Sequence, residues 1–116
     1  MTSRDGPRPA LLIDVDGPLN PYRARLTLRP DGYETHRYSM PQQRKPLRVW
    51  LNPSHGPALL ALADRFELWW ATSWEQQANE WVAPRVGLPT DLPVVGFGKN
   101  PPRPVAWLDP GRGIYF

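Results

Sequence analysis

Two carboxylates follow an apolar stretch near the start of the sequence. Residues 10–13 are all apolar, Asp14 and Asp16 stand two positions apart, and Gly17 then ends the run. Short apolar runs bounded by turn residues are typical of strands buried on both faces of a sheet. Because ligands bind at the carboxyl ends of the strands in open α/β sheets, we expect Asp14 and Asp16 to mark a catalytic edge.

Other chemically useful residues stand at or near the ends of later apolar runs. Thr72 and Ser73 end one run and Asp109 ends another, while Lys99 lies in a proline-rich loop between them. Parallel strands would bring these ends to one side of a sheet, where oxygen ligands suit Mg²⁺ better than Zn²⁺. A carboxylate nucleophile, a second carboxylate for proton transfer, and cationic and hydroxyl groups that hold phosphate oxygens would together support phosphoryl transfer.

The surrounding pattern of elements is that of a small α/β domain. Strands are predicted at residues 10–15, 47–51, 66–71, 93–97 and 105–108, and a β-hairpin at 24–39. One helix is predicted to begin at Asn52-Pro53 or only at Pro57, and another runs from Trp74 until Pro84 and Gly87 close it. Strands that alternate with helices predict a parallel central sheet with right-handed crossovers.

Length and composition narrow the class of protein. A chain of 116 residues is expected to form one domain, 1–116, with residues 1–9 as a loose leader. The chain has no cysteine, which excludes disulfides, thiolate zinc sites and cysteine nucleophiles and is compatible with the cytoplasm. We see no signal peptide and no apolar run that would span a membrane. The six tryptophans should lie mainly in the core, although Trp74 could line a cleft.

The net charge of +3 comes from a basic excess between Arg23 and Arg48. A phosphate-bearing substrate or a nucleic acid would suit this segment, and a solvated, arginine-rich surface is the alternative interpretation.

The acidic pair and the second apolar run carry a resemblance to a known family. The sequence Asp-Val-Asp-Gly at 14–17 resembles the first motif of the haloacid dehalogenase (HAD) superfamily of phosphohydrolases, and residues 66–72 resemble its second. Lys99 resembles the third motif and residues 107–109 the fourth. More narrowly, segments 16–21, 49–53 and 70–75 resemble small actinobacterial HAD-like proteins of unassigned substrate. The resemblance covers about residues 10–109.

The resemblance implies a fold and a metal site. It implies a three-layer Rossmann-like HAD fold with a parallel central sheet and a small flap formed by hairpin 24–39, shortened at the C-terminus. Asp14 would attack phosphorus and carry the aspartyl-phosphate, while Asp16 would protonate the leaving group and then activate water. Mg²⁺ would be held by the Asp14 carboxylate, the backbone carbonyl of Asp16, and Asp109.

The resemblance also implies substrate contacts. Thr72 would bind the phosphoryl oxygens, together with Ser73 and Gly17, and Lys99 would neutralise charge as a fourth catalytic residue. The substrate would be a phosphate ester of a small molecule or of a macromolecule such as a nucleic acid.

Each of these residues also has a purely structural interpretation. The acidic pair could cap a turn, and the two hydroxyl residues could cap the helix that follows them. Asp109 could belong to an Asp-Pro-Gly turn, and Lys99 could be an ordinary loop lysine. The sequence therefore predicts a Mg²⁺-dependent phosphatase, with a degenerate HAD-like module that binds phosphate or nucleic acid as the alternative. An open edge at the last strand would also favour a homodimer.

Overall fold

The structure is a computed structural model that describes residues 8–21, 28–96, 105–109 and 113–115, with Asp109 and residues 113–115 described by their backbone. The strands in these ranges are β1 (Ala10–Ile13), β2 (Glu34–Tyr38), β3 (Leu47–Leu51), β4 (Glu67–Trp70), β5 (Val105–Asp109) and β6 (Gly113–Tyr115). The helical elements are α1 (His55–Leu60), a π-helical segment (Ala78–Val82) and α2 (Ala83–Val86). Among the described residues, no helix has the length and apolar character needed to cross a membrane.

Strand β1 lies inside the main sheet. It pairs in parallel with β4 on one side and with β5 on the other, and β6 extends the sheet antiparallel to β5. Every residue of β1 is buried. Leu11 and Ile13 belong to the main core cluster, whereas Ala10 and Leu12 belong to a second cluster with Trp69. The predicted parallel sheet and the burial of its first strand on both faces are therefore confirmed.

The strand predicted at 93–97 is described only as far as Gly96, and within that range Val94 and Gly96 are isolated bridge residues. Val94 makes a single parallel bridge to Trp70, with hydrogen bonds of 2.8 Å from the Trp70 N–H to the Pro93 carbonyl and from the Val95 N–H to the Trp70 carbonyl. Gly96 then turns to φ +117°, outside the region that a strand uses. Pro93 has no N–H to contribute to a ladder. The predicted strand is therefore confirmed only around Val94, and the missing N–H of Pro93 limits its pairing with β4.

The observed antiparallel hairpin shares only strand β2 with the hairpin predicted at 24–39. The turn expected after Pro30 exists, with the Tyr33 N–H 3.3 Å from the Pro30 carbonyl. Strand β2, however, pairs with β3 in a separate two-stranded sheet, in which Glu34 is opposite Leu51. Most of the first half of the predicted hairpin 24–39 lies outside the described residues, and Leu28 to Pro30 are not in a strand.

The first helix begins at His55, between the two starts that the sequence offered, with Ser54 as its N-cap residue. The Asn52 Oδ1 atom accepts hydrogen bonds from the backbone N–H and the hydroxyl of Ser54, at 2.9 and 2.7 Å, just before α1 begins. Pro57 lies within the first turn of α1, where its missing N–H costs no helical hydrogen bond.

Of the two residues predicted to close the second helix, Gly87 does so and Pro84 does not. The helical conformation continues through Pro84 to Val86 and ends at Gly87, which adopts the left-handed conformation (φ +86°) typical of a C-cap. The preceding π-helical segment explains this tolerance, because the Ala83 N–H bonds to Ala78, five residues back. Such a wide turn shifts the hydrogen-bond pattern ahead of a proline.

Candidate functional site

The main sheet brings two of the predicted motifs to the same edge. Ile13 of β1 is opposite Trp70 of β4, and the Ala71 N–H continues the ladder to the Ile13 carbonyl at 2.8 Å. Asp14 and Thr72 therefore follow the ends of neighbouring parallel strands. Strand β1 has β4 on one side and the later strand β5 on the other, so the chain order reverses beside it. Such a switch point leaves a crevice at the strand ends, where α/β proteins bind ligands.

A tight loop fixes the acidic pair. The Val15 carbonyl accepts hydrogen bonds from the N–H groups of Leu19 and Asn20, at 3.1 and 2.8 Å, and the Gly17 N–H donates to the Asn20 carbonyl at 2.9 Å. Gly17 has φ +110°, a conformation that residues with a side chain rarely adopt. The glycine therefore has a structural reason of its own to follow Asp16, because the chain must turn back there.

The two carboxylates have different surroundings. One oxygen of the half-buried Asp14 accepts the N–H of Val15 at 2.7 Å. Both oxygens of Asp16 accept hydrogen bonds from other side chains: the Asn20 amide donates to Oδ1 at 2.9 Å, and the Trp74 indole donates to Oδ2 at 3.1 Å. Asp16 is thus held from its own loop and from the segment that follows β4.

Sequence reasoning missed Asn20. Its side chain is only 2 % exposed, and besides donating to Asp16 it accepts the backbone N–H of Trp50 at 3.0 Å. A buried polar group needs such partners, since an unpaired one is costly. Asn20 therefore links the acidic loop to strand β3. The only sequence signal was its position in the loop directly after the acidic pair.

The hydroxyl residues after β4 form a turn. The Thr72 Oγ1 atom accepts the Trp74 N–H at 3.2 Å, and the Thr72 carbonyl accepts the Glu75 N–H at 3.1 Å. The helical segment begins further along the chain, so the hydroxyl of Thr72 caps this turn and not a helix end. Glu75 has φ +51°, the left-handed region that non-glycine residues seldom occupy. Ser73 is exposed at the same turn.

No protein-family model, curated protein sequence or solved structure matches this chain.

The remaining predicted residues are described only in part. Lys99 lies outside the described residues. Asp109 is the last residue of β5, whose Trp107 is opposite Leu12 of β1. Two positions further along each strand come Asp109 and Asp14, so their backbones stand at the same edge of the sheet.

The donor set at this edge is compatible with Mg²⁺. Within the described part of the chain, no three His, Cys, Asp or Glu side chains are grouped closely enough to hold a metal ion. Magnesium, however, usually keeps several waters and binds through one or two carboxylates plus substrate phosphate oxygens. The Asp14 carboxylate is an oxygen donor of that type, and the backbone carbonyl of Asp16 is a further oxygen in the same loop. The carboxylate of Asp16, by contrast, already accepts two hydrogen bonds.

A cleft of about 280 Å³ opens beside Asp16. One side is formed by Asp16, Ser73, Trp74 and Gln77. The other side comes from the hairpin, through Tyr38, Met40 and Leu47. The hairpin of β2 and β3 therefore stands beside the strand ends.

The wall of this cleft continues into a cluster of aromatic rings. The ring of Tyr38 lies 4.9 Å from that of Trp74 and 5.0 Å from that of Trp81, between centroids. Trp74 and Trp81 are stacked at 5.8 Å with an interplanar angle of 18°. The Arg85 guanidinium covers Trp81, 4.1 Å from the ring centroid. Trp74 is thus held by rings on one side of the cleft while its N–H binds Asp16.

Proposed function

We propose that this protein is a Mg²⁺-dependent phosphohydrolase that acts through an aspartyl-phosphate on Asp14. The observation that carries the proposal is the parallel register of β1 and β4, which brings the acidic pair and the two hydroxyl residues to one sheet edge. A nucleophile, a proton carrier and phosphate-binding groups are the minimum that this chemistry needs.

The reaction has two displacement steps. A carboxylate oxygen of Asp14 attacks phosphorus, the bond from phosphorus to the ester oxygen breaks, and that oxygen takes a proton from the protonated Asp16. In the second step Asp16 takes a proton from water as the water oxygen bonds to phosphorus. The bond between phosphorus and Asp14 then breaks, releasing phosphate and restoring both residues.

The other residues would bind the phosphoryl group. Thr72 and Ser73 would donate hydroxyl hydrogens to its oxygens, and Lys99 would add positive charge. The Asp14 carboxylate, the Asp16 carbonyl and Asp109 would hold Mg²⁺. When bound, the ion would neutralise the charge that develops on the phosphoryl oxygens.

The hydrogen bonds of Asp16 favour a second candidate, a non-catalytic module that binds phosphate. Both partners of its carboxylate, the Asn20 amide and the Trp74 indole, are hydrogen-bond donors. Protonation would leave the hydroxyl oxygen of Asp16 with a single, weaker acceptor position for the donor that it already binds. In a binding module the carboxylate simply joins the loop to the segment after β4.

Asp14→Asn separates the two candidates. We expect wild-type protein with saturating Mg²⁺ to hydrolyse a generic aryl phosphate, and Asp14→Asn to abolish hydrolysis without changing the denaturant midpoint of unfolding. Asp64→Asn, which neutralises an exposed carboxylate outside the cleft, is the matched control and should keep full activity.

Wild-type protein without hydrolysis would rule out the phosphohydrolase. In that case, calorimetric titration with Mg²⁺ and inorganic phosphate tests the binding module. Binding of Mg²⁺ or phosphate without turnover supports the binding module. If neither ion binds, the binding module is ruled out as well.

A further inference from the structure

The cleft beside Asp16 combines an aromatic wall with polar groups. Tyr38, Trp74, Met40 and Leu47 provide the apolar surface, while the Ser73 hydroxyl and the Gln77 amide lie on the same cleft. Sites that take a drug-sized ligand span about 300–1,000 Å³, so the 280 Å³ here is suited to one ring system and not to a larger molecule.

The aromatic wall is a platform and not a slot. With their centroids 4.9 Å apart and tilted by 56°, the rings of Tyr38 and Trp74 already touch, so no ligand ring fits between them. Trp81 stacks on Trp74, and Arg85 covers Trp81. These contacts hold Trp74 in place before a ligand arrives, which reduces the ordering cost of binding.

We propose that this cleft binds the nucleobase of a nucleotide, whose phosphate would then lie at the sheet edge next to Asp14. The assignment deepens the proposed phosphohydrolase and rests on it, because it supplies the substrate class for the same edge. Aromatic platforms bind bases through stacking, irrespective of base identity. A hydroxyl and an amide can also donate to and accept from the polar edge of a base, which a plain phenyl ring does not offer.

The charge of the hairpin and of the turn that precedes it agrees with a nucleotide. Residues 28–51 include five arginines or lysines and two acidic residues. Arg44 and Lys45 are exposed in the loop that joins Met40 to Leu47, two residues that line the cleft. A nucleotide and a phosphorylated end of a single strand share the same recognition chemistry, and basic side chains would favour the strand through its further phosphates.

The test measures binding and turnover separately. Affinity is measured by calorimetry without Mg²⁺, to prevent hydrolysis, for adenosine 5′-monophosphate, ribose 5-phosphate and phenyl phosphate. We expect the nucleotide to bind at least about tenfold (about 1.4 kcal/mol) more tightly than ribose 5-phosphate, which lacks the base. Equal affinities, or no binding of the nucleotide, would overturn the assignment. If phenyl phosphate binds as tightly as the nucleotide, the assignment is also overturned, because the cleft would then accept any aromatic ring and not specifically a nucleobase.

Two variants locate the binding to the cleft. Tyr38→Leu should lower nucleotide affinity about tenfold and leave ribose 5-phosphate unchanged. Trp107→Leu, which removes an aromatic ring that is 39 % exposed outside the cleft, is the matched control and should change neither. If Tyr38→Leu does not fold, Leu47→Trp is the alternative variant. Leu47 is 38 % exposed at the cleft, so a tryptophan ring there would fill the cleft and should lower nucleotide affinity. Unchanged nucleotide affinity in Leu47→Trp contradicts the proposal.

Two further measurements distinguish a free nucleotide from a strand end and test the phosphohydrolase separately from the nucleotide site. A 5′-phosphorylated oligothymidylate that binds more tightly than the mononucleotide, with affinity falling steeply with salt, supports a strand end; otherwise a free nucleotide is supported. Preferential nucleotide binding without hydrolysis in Mg²⁺ would reject the enzyme and keep the nucleotide site.

Discussion

Replacing Asn20 with alanine tests the hydrogen-bond network that holds the acidic loop. The change removes the acceptor of the buried Trp50 N–H and one of the two donors to Asp16. A buried donor left without a partner costs about 1–3 kcal/mol, and a hydrogen bond to a charged group contributes about 1.5–3 kcal/mol. Because the two terms overlap, we expect the free energy of unfolding to fall by about 3 kcal/mol. For a chain of this size that lowers the melting temperature by roughly 10 °C.

Asn79 provides a matched control for this change. It is also buried, at 3 % exposure, and its Oδ1 atom accepts the Trp70 indole N–H at 2.9 Å and the Leu92 N–H at 3.1 Å. Asn79→Ala should therefore cost a similar free energy of unfolding, about 3 kcal/mol. It makes no hydrogen bond to Asp16, so it should leave the chemistry at the sheet edge unchanged while Asn20→Ala disturbs it.

Denaturant unfolding followed by tryptophan fluorescence gives the two free energies, and the rate of aryl phosphate hydrolysis gives the functional effect. We expect similar losses of stability in both variants and a loss of kcat only in Asn20→Ala, measured where both proteins are folded. If the free energy of unfolding of Asn20→Ala differs from that of wild type by less than about 0.5 kcal/mol, the range typical of surface substitutions, the network does not hold the loop. Equal losses of kcat would show that stability alone accounts for the effect.

Two further predictions concern α1 and the residues around it. Gly56→Ala should lower the free energy of unfolding by about 1–3 kcal/mol, because an added Cβ would collide with the backbone carbonyls of Val86 and Gly87, although alanine normally favours a helix. The control Ala58→Gly, at an exposed position of the same helix, should lose only the ordinary helix propensity of about 1 kcal/mol. A Gly56→Ala protein that is more stable than wild type would contradict this close packing. Burial lowers the pKa of His55 below its ordinary value of 6.5, so the unfolded chain binds more protons than the folded protein just below that pH. The free energy of unfolding should therefore fall as the pH drops from about 7 through the folded-state pKa of His55. The measurement is the difference in unfolding free energy between wild type and His55→Phe from pH 7 to pH 5, which should fall in the same way. A difference that stays constant with pH would contradict the prediction.

Local patterns were enough to predict the part of the fold that forms the sheet edge. Short, largely apolar runs bounded by turn or polar residues are typical of buried strands, and this is why β1 and β4 were predicted close to their observed bounds. The partner of β2 was not predictable in the same way. Alternation shows that a segment is extended, but it does not show which other segment it pairs with. The pairing of β2 with β3 depends on the whole chain.

The same limit applies to the candidate site. Asp14, Asp16 and Thr72 could be grouped from the sequence because each lies in the last positions of a predicted strand or directly after it. Asn20 could not, because its role depends on the Trp50 N–H, which reaches it from 30 positions away along the chain. The cleft likewise depends on the hairpin standing beside Trp74, which is a property of tertiary packing. Sequence patterns thus place residues at strand ends, whereas contacts between separate elements have to be observed.

Trp74 belongs to both halves of the site, and this decides which variants are informative. Its indole N–H donates to Asp16 at 3.1 Å, and the same side chain lines the cleft and packs against Tyr38. A substitution at Trp74 would change the proton carrier and the proposed base platform together, so its effect could not be assigned to either. Asn20 acts on Asp16 without lining the cleft, and Tyr38 lines the cleft without a hydrogen bond to Asp16. If the two halves work as proposed, Asn20→Ala lowers kcat with little effect on nucleotide affinity, and Tyr38→Leu does the reverse.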